Sequence, residues 1–462
     1  MPSRRRVGMP VVAAVALVAV FAAPPTHATV DNVALLIDQS LYNQGQVQPK
    51  LERYEEEVED RFPVDLQFHV GTFNSYTPEQ IRAYIQNEFT TNLITGVILV
   101  GQIDYAVWEQ GYGTNQGILS FFYEDMDGSF TDTDGDGVYD WHEWGDRDGP
   151  EIWSCWMRPP VMNEAGLLRS LLDEAHDYYT GTFVTTKKGI VACHEDYDNN
   201  FWPSGSTIPS MPGLVDIYGL ANVDTDGEGT DLVIASEYEA LLFGGGYEIS
   251  HAWSHAWSGG QSWDSDSTTS TDVMTAPAGT GPLIAHIYGC HSGDFIGWEG
   301  TSNANTVIAV AYAFGPGGGQ AASGTSWSYG TEGMNYVTEY MRDGAYLAEG
   351  WKHLLDVREN SWAIHQRYPD RDVHTELSGN NLFGNPFLYA DWTGYVIPPG
   401  DMDGDGDVDI DDFPIWADCL SGPNVTTPPL NCSGPEFDDA DLDDDGDVDV
   451  GDYGALQELL GA

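Results

Sequence analysis

A thiol and an imidazole each stand where a strand-like segment breaks into a glycine-rich turn. Cys290 follows the apolar run 283–288 within the sequence Gly-Cys-His-Ser-Gly, and His255 precedes Ala-Trp-Ser-Gly-Gly after a second strand-like segment. Ligands bind outside the carboxyl ends of strands in open α/β sheets, and a thiolate is a strong nucleophile. The two residues therefore form a candidate nucleophile and base. The alternative interpretation of Cys290 is a buried structural thiol.

A second histidine competes with His255. The sequence Ser-His-Ala-Trp occurs twice, at 250–253 and 254–257, which makes His251 a rival. We prefer His255 because a Gly-Gly turn and then Trp263 follow it directly. Histidines four residues apart would suit a metal ion on a helix, but the Trp-rich context favours a strand and the His-Glu-x-x-His form is missing.

The segment Cys-His-Glu-Asp at 193–196 ends another strand-like run. It could supply an orienting carboxylate, although we expect it to act only as a neighbouring loop.

Short apolar runs alternate with amphipathic segments through most of the chain. This alternation predicts βαβ units and a mostly parallel sheet. One predicted helix carries Leu167, Leu168, Leu171, Leu172 and Ala175 on a single face. The predicted strands are 33–36, 64–70, 96–101, 152–157, 189–192, 247–251, 283–288 and 307–312.

The charge of the chain is strongly acidic, with 17 basic against 73 acidic residues and a formal net charge of −56. Nucleic acid is excluded as a partner because phosphate binding needs clustered Lys and Arg. Basic residues at 4–6, an apolar stretch at 11–23 and Thr-His-Ala at 26–28 predict a signal peptide and export. The apolar stretch is too short for a membrane span, and no later run reaches the needed length.

Five cysteines in an exported chain cannot all pair. Cys419 and Cys432 lie close in sequence inside one small module, and we predict that they form a disulfide. Cys155, Cys193 and Cys290 remain as thiols.

Acidic residues at positions 1, 3, 5, 9 and 12 of a loop, with glycine at position 6, are what a calcium loop requires. This pattern occurs twice near the C-terminus and once, ending in glutamate, inside the larger domain. The predicted calcium ligands are Asp132, Asp134, Asp136, Val138, Asp140 and Glu143; Asp401, Asp403, Asp405, Asp407, Asp409 and Asp412; and Asp441, Asp443, Asp445, Asp447, Asp449 and Asp452.

The C-terminal pair of loops resembles a type I dockerin, over residues 400–462. The resemblance implies two calcium loop–helix repeats and docking onto a cohesin-like or cell-surface partner. The insert that carries Cys419 and Cys432 departs from the usual dockerin pattern.

The region 33–392 resembles the gingipain-type cysteine peptidases of the caspase-like clan. In that family one strand ends in His-Gly with a later Trp, and the next ends in Ala-Cys followed by Asn-Gly-Asp-Phe. The counterparts here are His255-Ala256 with Trp263, and Gly289-Cys290 with Ser-Gly-Asp-Phe at 292–295.

The resemblance implies that Cys290 is the nucleophile and that His255 generates the thiolate and protonates the leaving amine. It also implies an oxyanion site formed by the backbone N–H groups of Ala256 and Cys290, and a substrate pocket lined by Ser326 and Trp327. Ala256 stands where the family has glycine. If that position needs a positive φ, alanine is strained by about 1–2 kcal/mol.

The sequence thus predicts an α/β protein with a caspase-like, mostly parallel sheet in two subdomains and a small helical calcium-loop module. The predicted function is a secreted, calcium-stabilised cysteine endopeptidase that acts on protein or peptide substrates through a Cys–His dyad. The alternative is an inactive surface-binding or adhesion protein that retains the fold. The predicted divisions are a signal peptide at 1–28, an N-terminal subdomain at 29–185, a catalytic subdomain at 186–395, a linker at 396–400 and a dockerin-like module at 401–462.

Overall fold

The structure is a computed structural model of the chain. It describes residues 30–109, 116–145, 149–182, 186–198, 211–226, 233–296, 306–316, 319–327, 330, 333–360 and 379–390, together with 413, 416–417, 419–423, 425–429, 432, 437, 440–442 and 445–459. The predicted signal peptide, the linker and the acidic loop at 401–412 lie outside the described residues.

Seventeen strands are formed within this described part. They are β1 Asp31–Asp38, β2 Val64–Gly71, β3 Ile94–Val100, β4 Val107–Glu109, β5 Gln116–Ile118, β6 Ser129–Thr131, β7 Trp141–Glu143, β8 Trp153–Met157, β9 Gly189–Cys193, β10 Val223–Asp226, β11 Ile249–Trp253, β12 His255–Trp257, β13 Gly260–Ser262, β14 Ser267–Thr269, β15 Ile284–Tyr288, β16 Ala321–Thr325 and β17 Asn380–Gly384.

Helices occupy most of the connections between these strands. They are α1 Gln39–Tyr42, α2 Val47–Arg61, α3 Pro78–Asn92, α4 Glu164–Tyr179, α5 Glu195–Asp198, α6 Met211–Tyr218, α7 Ala235–Gly245, α8 Ser270–Thr275, α9 Ile308–Phe314, α10 Met334–Arg342, α11 Leu347–Asn360 and α12 Val450–Leu459. Short 3₁₀ turns occur at Phe73–Ser75, Ser120–Tyr123, Val161–Asn163 and Leu220–Asn222.

Ten of the strands form one central sheet in the order β10-β9-β11-β15-β16-β17-β8-β3-β1-β2. Every neighbouring pair is parallel except β16 and β17, which are antiparallel. The sheet therefore consists of two parallel halves that run in opposite directions, and the carboxyl ends of β9, β11, β15 and β16 lie along one edge. The predicted mostly parallel sheet is confirmed.

The central strands are buried at every residue, as expected for parallel strands that are covered on both faces. Helix α2 packs against α4, and α10 packs against α6 and α11. The predicted apolar face of α4 is also confirmed, since Leu167, Leu168, Leu171, Leu172 and Ala175 are all buried.

One predicted strand is wrong. The apolar run predicted as a strand over 307–312 forms helix α9, and all seven of its residues are buried. A short, continuous apolar run has the same composition in a buried helix and a buried strand, so periodicity does not separate them.

The C-terminal residues form a small hydrophobic cluster of their own, which includes Trp416, Phe437, Val448 and Leu456. Cys419 and Cys432 are joined there by a disulfide. Among the described helices, none is long and apolar enough to cross a membrane.

Candidate active site

The thiol and the imidazole follow adjacent strands of the central sheet. Strands β11 and β15 are parallel neighbours in which Trp253 is paired with Tyr288, and the two rings stack with centroids 4.3 Å apart. The backbone N–H of Ser254 donates to the carbonyl of Tyr288 at 3.0 Å. His255 and Cys290 each lie two residues beyond this last pair, so the topology brings both to the same edge of the sheet.

A tight turn holds Cys290 in place after β15. The backbone N–H of His291 donates to the carbonyl of Trp327 at 2.6 Å, and that of Gly293 donates to Thr325 at 2.8 Å. His291 adopts a left-handed conformation with φ 55°. Cys290 is partly buried, whereas Cys155 and Cys193 are fully buried. Cys290 is therefore the described thiol with the best access to a substrate.

Burial raises the pKa of the Cys290 thiol above its usual value. The thiol is consequently protonated at neutral pH in the resting protein, because desolvation disfavours the thiolate. Nucleophilic chemistry at this position thus requires a base that removes the proton.

Asp196 contacts the imidazole of His255. Its Oδ2 lies 2.9 Å from Nε2 of His255, and this hydrogen bond holds the pKa of Asp196 below its ordinary value. A carboxylate at Nε2 places the ring proton there and leaves Nδ1 as the basic atom. Of the two roles considered for segment 193–196, this contact favours an orienting carboxylate over a neighbouring loop.

The strand order explains this contact. Strand β9 lies on the other side of β11 from β15, and Cys193 is paired with Trp253. The residues that follow β9 consequently reach the same edge of the sheet as His255 and Cys290. His194, immediately after β9, packs its ring edge-on against His255 with centroids 4.9 Å apart.

His251, the rival of His255, lies within the sheet. It is buried at the centre of β11, is paired in register with His286 of β15, and its ring lies 5.0 Å from that of His286. His255 instead begins the small antiparallel sheet β12-β13-β14 beyond the edge and is exposed. Of these two histidines, His255 is therefore the one that is accessible to solvent at this edge of the sheet.

The two residues predicted to supply oxyanion donors belong to segments that touch. Ala256 lies in β12 and has no positive φ, since only Leu93, Lys187 and His291 have one among the described residues other than glycine. The strain considered for an alanine at this position is therefore absent. A Cβ built on Gly289 would lie 2.5 Å from the Cβ of Ala256, so these backbones approach closely.

Ser326 and Trp327, the predicted pocket residues, are both fully buried. The hydroxyl of Ser326 donates to the carbonyl of Ile118 at 3.0 Å and accepts from the side-chain amide of Asn381 at 2.7 Å. The segment reaches the turn of Cys290 through the carbonyl of Trp327 rather than through either side chain.

The acidic loops at 132–143 and 441–452 share one hydrogen bond, although the predicted ligand Asp443 lies outside the described residues. In each, the first aspartate accepts the N–H of the glycine at position 6: Asp132 from Gly137 and Asp441 from Gly446, both at 2.8 Å. Both glycines have positive φ, 96° and 89°, as the sharp turn requires.

The other predicted ligands of the loop at 132–143 have different neighbours. Asp134 and Asp136 lie with Glu109, a residue of β4 outside the pattern, so that one carboxylate oxygen from each is within 4.8 Å of the others. Asp140 accepts the backbone N–H of Thr133 at 2.8 Å. The predicted ligand Glu143 ends β7.

Asp452, at position 12 of the last loop, is fully buried. It accepts the N–H groups of Leu442 and Asp449, each at 2.7 Å. Glu109, near the other loop, belongs to no motif in the sequence. Only the structure shows that it lies beside Asp134 and Asp136.

The fold defined by this sheet is a mixed α/β, caspase-like fold of the gingipain type. The chain is similar to the crystal structure of the Arg-specific cysteine proteinase gingipain R, at TM-score 0.53 and 13% identity, over 79% of this chain and 80% of that chain. It is equally similar, at TM-score 0.53 and 13% identity, to a complex of the pro- and mature domains of RgpB from Porphyromonas gingivalis, over 81% of this chain and 83% of that chain. No protein-family model and no curated protein matches the chain. At this level of identity the likeness shows the fold.

Proposed function

We propose that this protein is a cysteine endopeptidase that uses Cys290 as its nucleophile and His255 as its general base and acid. One observation carries the proposal: neighbouring parallel strands of a gingipain-like fold end in a thiol and in an imidazole that a carboxylate orients. A nucleophile, a base and a group that orients the base are the parts that nucleophilic catalysis at a carbonyl needs.

The proposed chemistry uses two atoms, Sγ of Cys290 and Nδ1 of His255. Nδ1 of His255 accepts the proton of the Cys290 thiol as Sγ attacks the carbonyl carbon, and the imidazolium then returns a proton to the leaving amine. A thioester forms and a carbon–nitrogen bond breaks. Water, deprotonated by His255, hydrolyses the thioester and regenerates the thiol. Asp196 stabilises the imidazolium that forms in each half-reaction.

The oxyanion of each tetrahedral intermediate is held by the backbone N–H groups of Ala256 and Cys290. The close approach of Gly289 to Ala256 supports this assignment, because it brings the two donor segments side by side. The segment that contains Ser326 and Trp327 borders the turn of Cys290 and is proposed to line the substrate pocket.

Calcium is proposed to stabilise the protein at the loops 132–143, 401–412 and 441–452. The shared aspartate-to-glycine hydrogen bond in the two described loops supports this, as do the clustered carboxylates of Glu109, Asp134 and Asp136. Calcium takes six to eight oxygen ligands, and bound cations would relieve the repulsion within these loops.

Export and attachment complete the proposal. The N-terminal segment 1–28 supports secretion, and the duplicated loops support a dockerin-like module that binds a cohesin-like or cell-surface partner. The disulfide between Cys419 and Cys432 is compatible with an oxidising compartment.

The test is a cleavage and labelling assay on the full chain in the presence of calcium. Wild-type protein should cleave members of a peptide library and be alkylated by iodoacetamide at Cys290. Cys290→Ser should abolish both, and His255→Gln should slow both by about 10²-fold or more. Cys193→Ser, which removes a buried thiol, is the matched control and should retain activity. A wild-type protein that cleaves nothing in the library would instead be an inactive binding protein with this fold.

A further inference from the structure

We propose that His194, Asp196 and His255 form a zinc-binding site that overlaps the base of the dyad, so that zinc reversibly holds the enzyme inactive. The existence of the site does not depend on peptidase activity, whereas its inhibitory effect rests on the function proposed above.

The three side chains already lie at the spacing of a metal site. One ligand atom from each is within 4.8 Å of the other two. Oδ2 of Asp196 lies 2.9 Å from Nε2 of His255 and 3.9 Å from Nδ1 of His194, and the two imidazole rings are 4.9 Å apart. Small side-chain rotations bring three such atoms onto one tetrahedral cation with ligand distances of about 2.0–2.2 Å.

The surroundings of His194 suit a metal ligand, because a second carboxylate orients its ring. Nδ1 of His194 accepts the backbone N–H of Asp196 at 3.1 Å, so the lone pair lies on Nδ1 and the proton of the neutral ring on Nε2. That Nε2 lies 3.3 Å from Oδ1 of Asp264. Zinc-bound histidines usually have this arrangement, in which the nitrogen far from the metal donates to a carboxylate and the near nitrogen binds the cation.

Asp264 is itself held rigidly. Its side chain is 2% exposed, and its two oxygens accept the backbone N–H groups of Glu195 at 3.2 Å and Val233 at 2.7 Å. A buried carboxylate fixed by two backbone donors cannot swing away, so the ring of His194 is locked toward Asp196. A cation would replace the N–H of Asp196 as the partner of Nδ1.

The donor set selects zinc over calcium. Two imidazoles and one carboxylate suit Zn²⁺, whereas calcium takes oxygen ligands such as those in the acidic loops. The carboxylates of Asp196 and Asp264 balance the double charge of the ion. Three protein ligands leave the fourth tetrahedral position to water.

Inhibition follows from the tautomer that coordination imposes. Zinc takes the lone pair of Nε2 of His255, so the neutral ring carries its proton on Nδ1. Nδ1 then cannot accept the proton of the Cys290 thiol. Removal of the ion restores the Asp196 contact and the basic Nδ1.

The binding test uses the full chain carrying Cys290→Ser, which removes the thiol as an alternative zinc ligand. Zinc chloride is titrated calorimetrically in the presence of excess calcium, so that the calcium sites proposed for the acidic loops are filled. We expect one high-affinity zinc equivalent. His194→Gln and Asp264→Asn, each added to this background, should weaken it by about 10–100-fold. His353→Gln, which replaces a histidine of α11, is the matched control and should leave the affinity unchanged.

Failure of zinc to bind the Cys290→Ser protein would overturn the site. Binding that is undiminished by His194→Gln would overturn it equally, and so would a loss of the same size in the His353→Gln control.

The inhibition arm uses protein with Cys290 intact. Zinc should stop cleavage by the wild type, and a chelator selective for zinc over calcium should restore it. Measured against its own zinc-free rate, His194→Gln should need about tenfold more zinc for the same inhibition. A metal-free wild type that cleaves no peptide defeats the peptidase assignment alone, because the calorimetric titration needs no turnover.

Discussion

The methyl group of Ala256 occupies the space that a side chain at position 289 would need. A Cβ built on Gly289 would lie 2.5 Å from the Cβ of Ala256 and 2.8 Å from the carbonyl oxygen of Ser254. The gingipain pattern has glycine after the histidine and alanine before the cysteine. Here the two are exchanged, so a single methyl group still fills the gap between the two strand ends.

This relationship predicts that the two positions compensate. Gly289→Ala alone should destabilise the protein by about 1–3 kcal/mol through overpacking, and should lower activity by displacing Cys290. The double variant Ala256→Gly/Gly289→Ala should recover part of both losses, because the methyl–methyl contact is removed while the 2.8 Å approach to the carbonyl oxygen of Ser254 remains. Thermal unfolding and probe labelling of the two single variants and the double variant measure the coupling. Purely additive effects would show that the methyl groups do not compete for one space.

Asp196 should matter to catalysis more than to folding. It is exposed and contacts His255 through one hydrogen bond. Asp196→Asn should lower kcat/KM by about 10²-fold because the imidazole loses its orientation, with the melting temperature unchanged. Glu195→Gln, which neutralises the adjacent exposed carboxylate, is the matched control and should keep wild-type kcat/KM. Equal losses in the two variants would point to general charge rather than to the contact.

Calcium removal should destabilise the larger domain through loop 132–143. A ligand whose free concentration is 100 times its dissociation constant stabilises the folded protein that binds it by about 2.7 kcal/mol. A calcium chelator should therefore lower the melting temperature of the full chain. Asp132→Ala should remove most of that difference, because Asp132 also anchors the glycine turn.

The matched control is Asp441→Ala, which removes the same position from the C-terminal loop. It should leave the calcium response of the catalytic domain intact. A catalytic-domain melting temperature that does not respond to chelation would exclude calcium from loop 132–143.

The buried histidine of β15 should make the protein sensitive to acid. Burial, and after it the neighbouring His251, lowers the pKa of His286 well below its ordinary value of 6.5. Nδ1 of His286 pairs with the hydroxyl of Ser323 at 2.8 Å, and both residues are fully buried. The unfolded chain therefore binds a proton near pH 6.5 that the folded chain does not.

The direction of the pH dependence of stability follows from this difference in proton binding. Stability contributed by neutral His286 is complete above pH 6.5 and is lost as the pH falls from 6.5 toward the lower folded pKa. His286→Gln should flatten the decline of the melting temperature below pH 6.5. Identical slopes in wild type and His286→Gln would remove His286 from the acid response.

Many helices and strands of the fold could be predicted because short-range patterns of apolar residues indicate them. The apolar stripe of α4 repeats at helical spacing, and the buried parallel strands are short continuous apolar runs bounded by turns. The run that forms α9 is wrongly predicted as a strand, because it is a short continuous apolar run like those that do form strands. An all-buried apolar segment loses the periodicity that separates helix from strand.

The sequence by itself determined that Cys290 and His255 follow strand-like segments, and that acidic loops carry glycine where a sharp turn is needed. Only the tertiary structure decided what surrounds them. Asp196 reaches His255 across 59 residues because β9 lies next to β11, and Ala256 meets Gly289 because β11 lies next to β15. Strand order is a property of the whole sheet, set by the packing of distant segments, and no local pattern of residues encodes it.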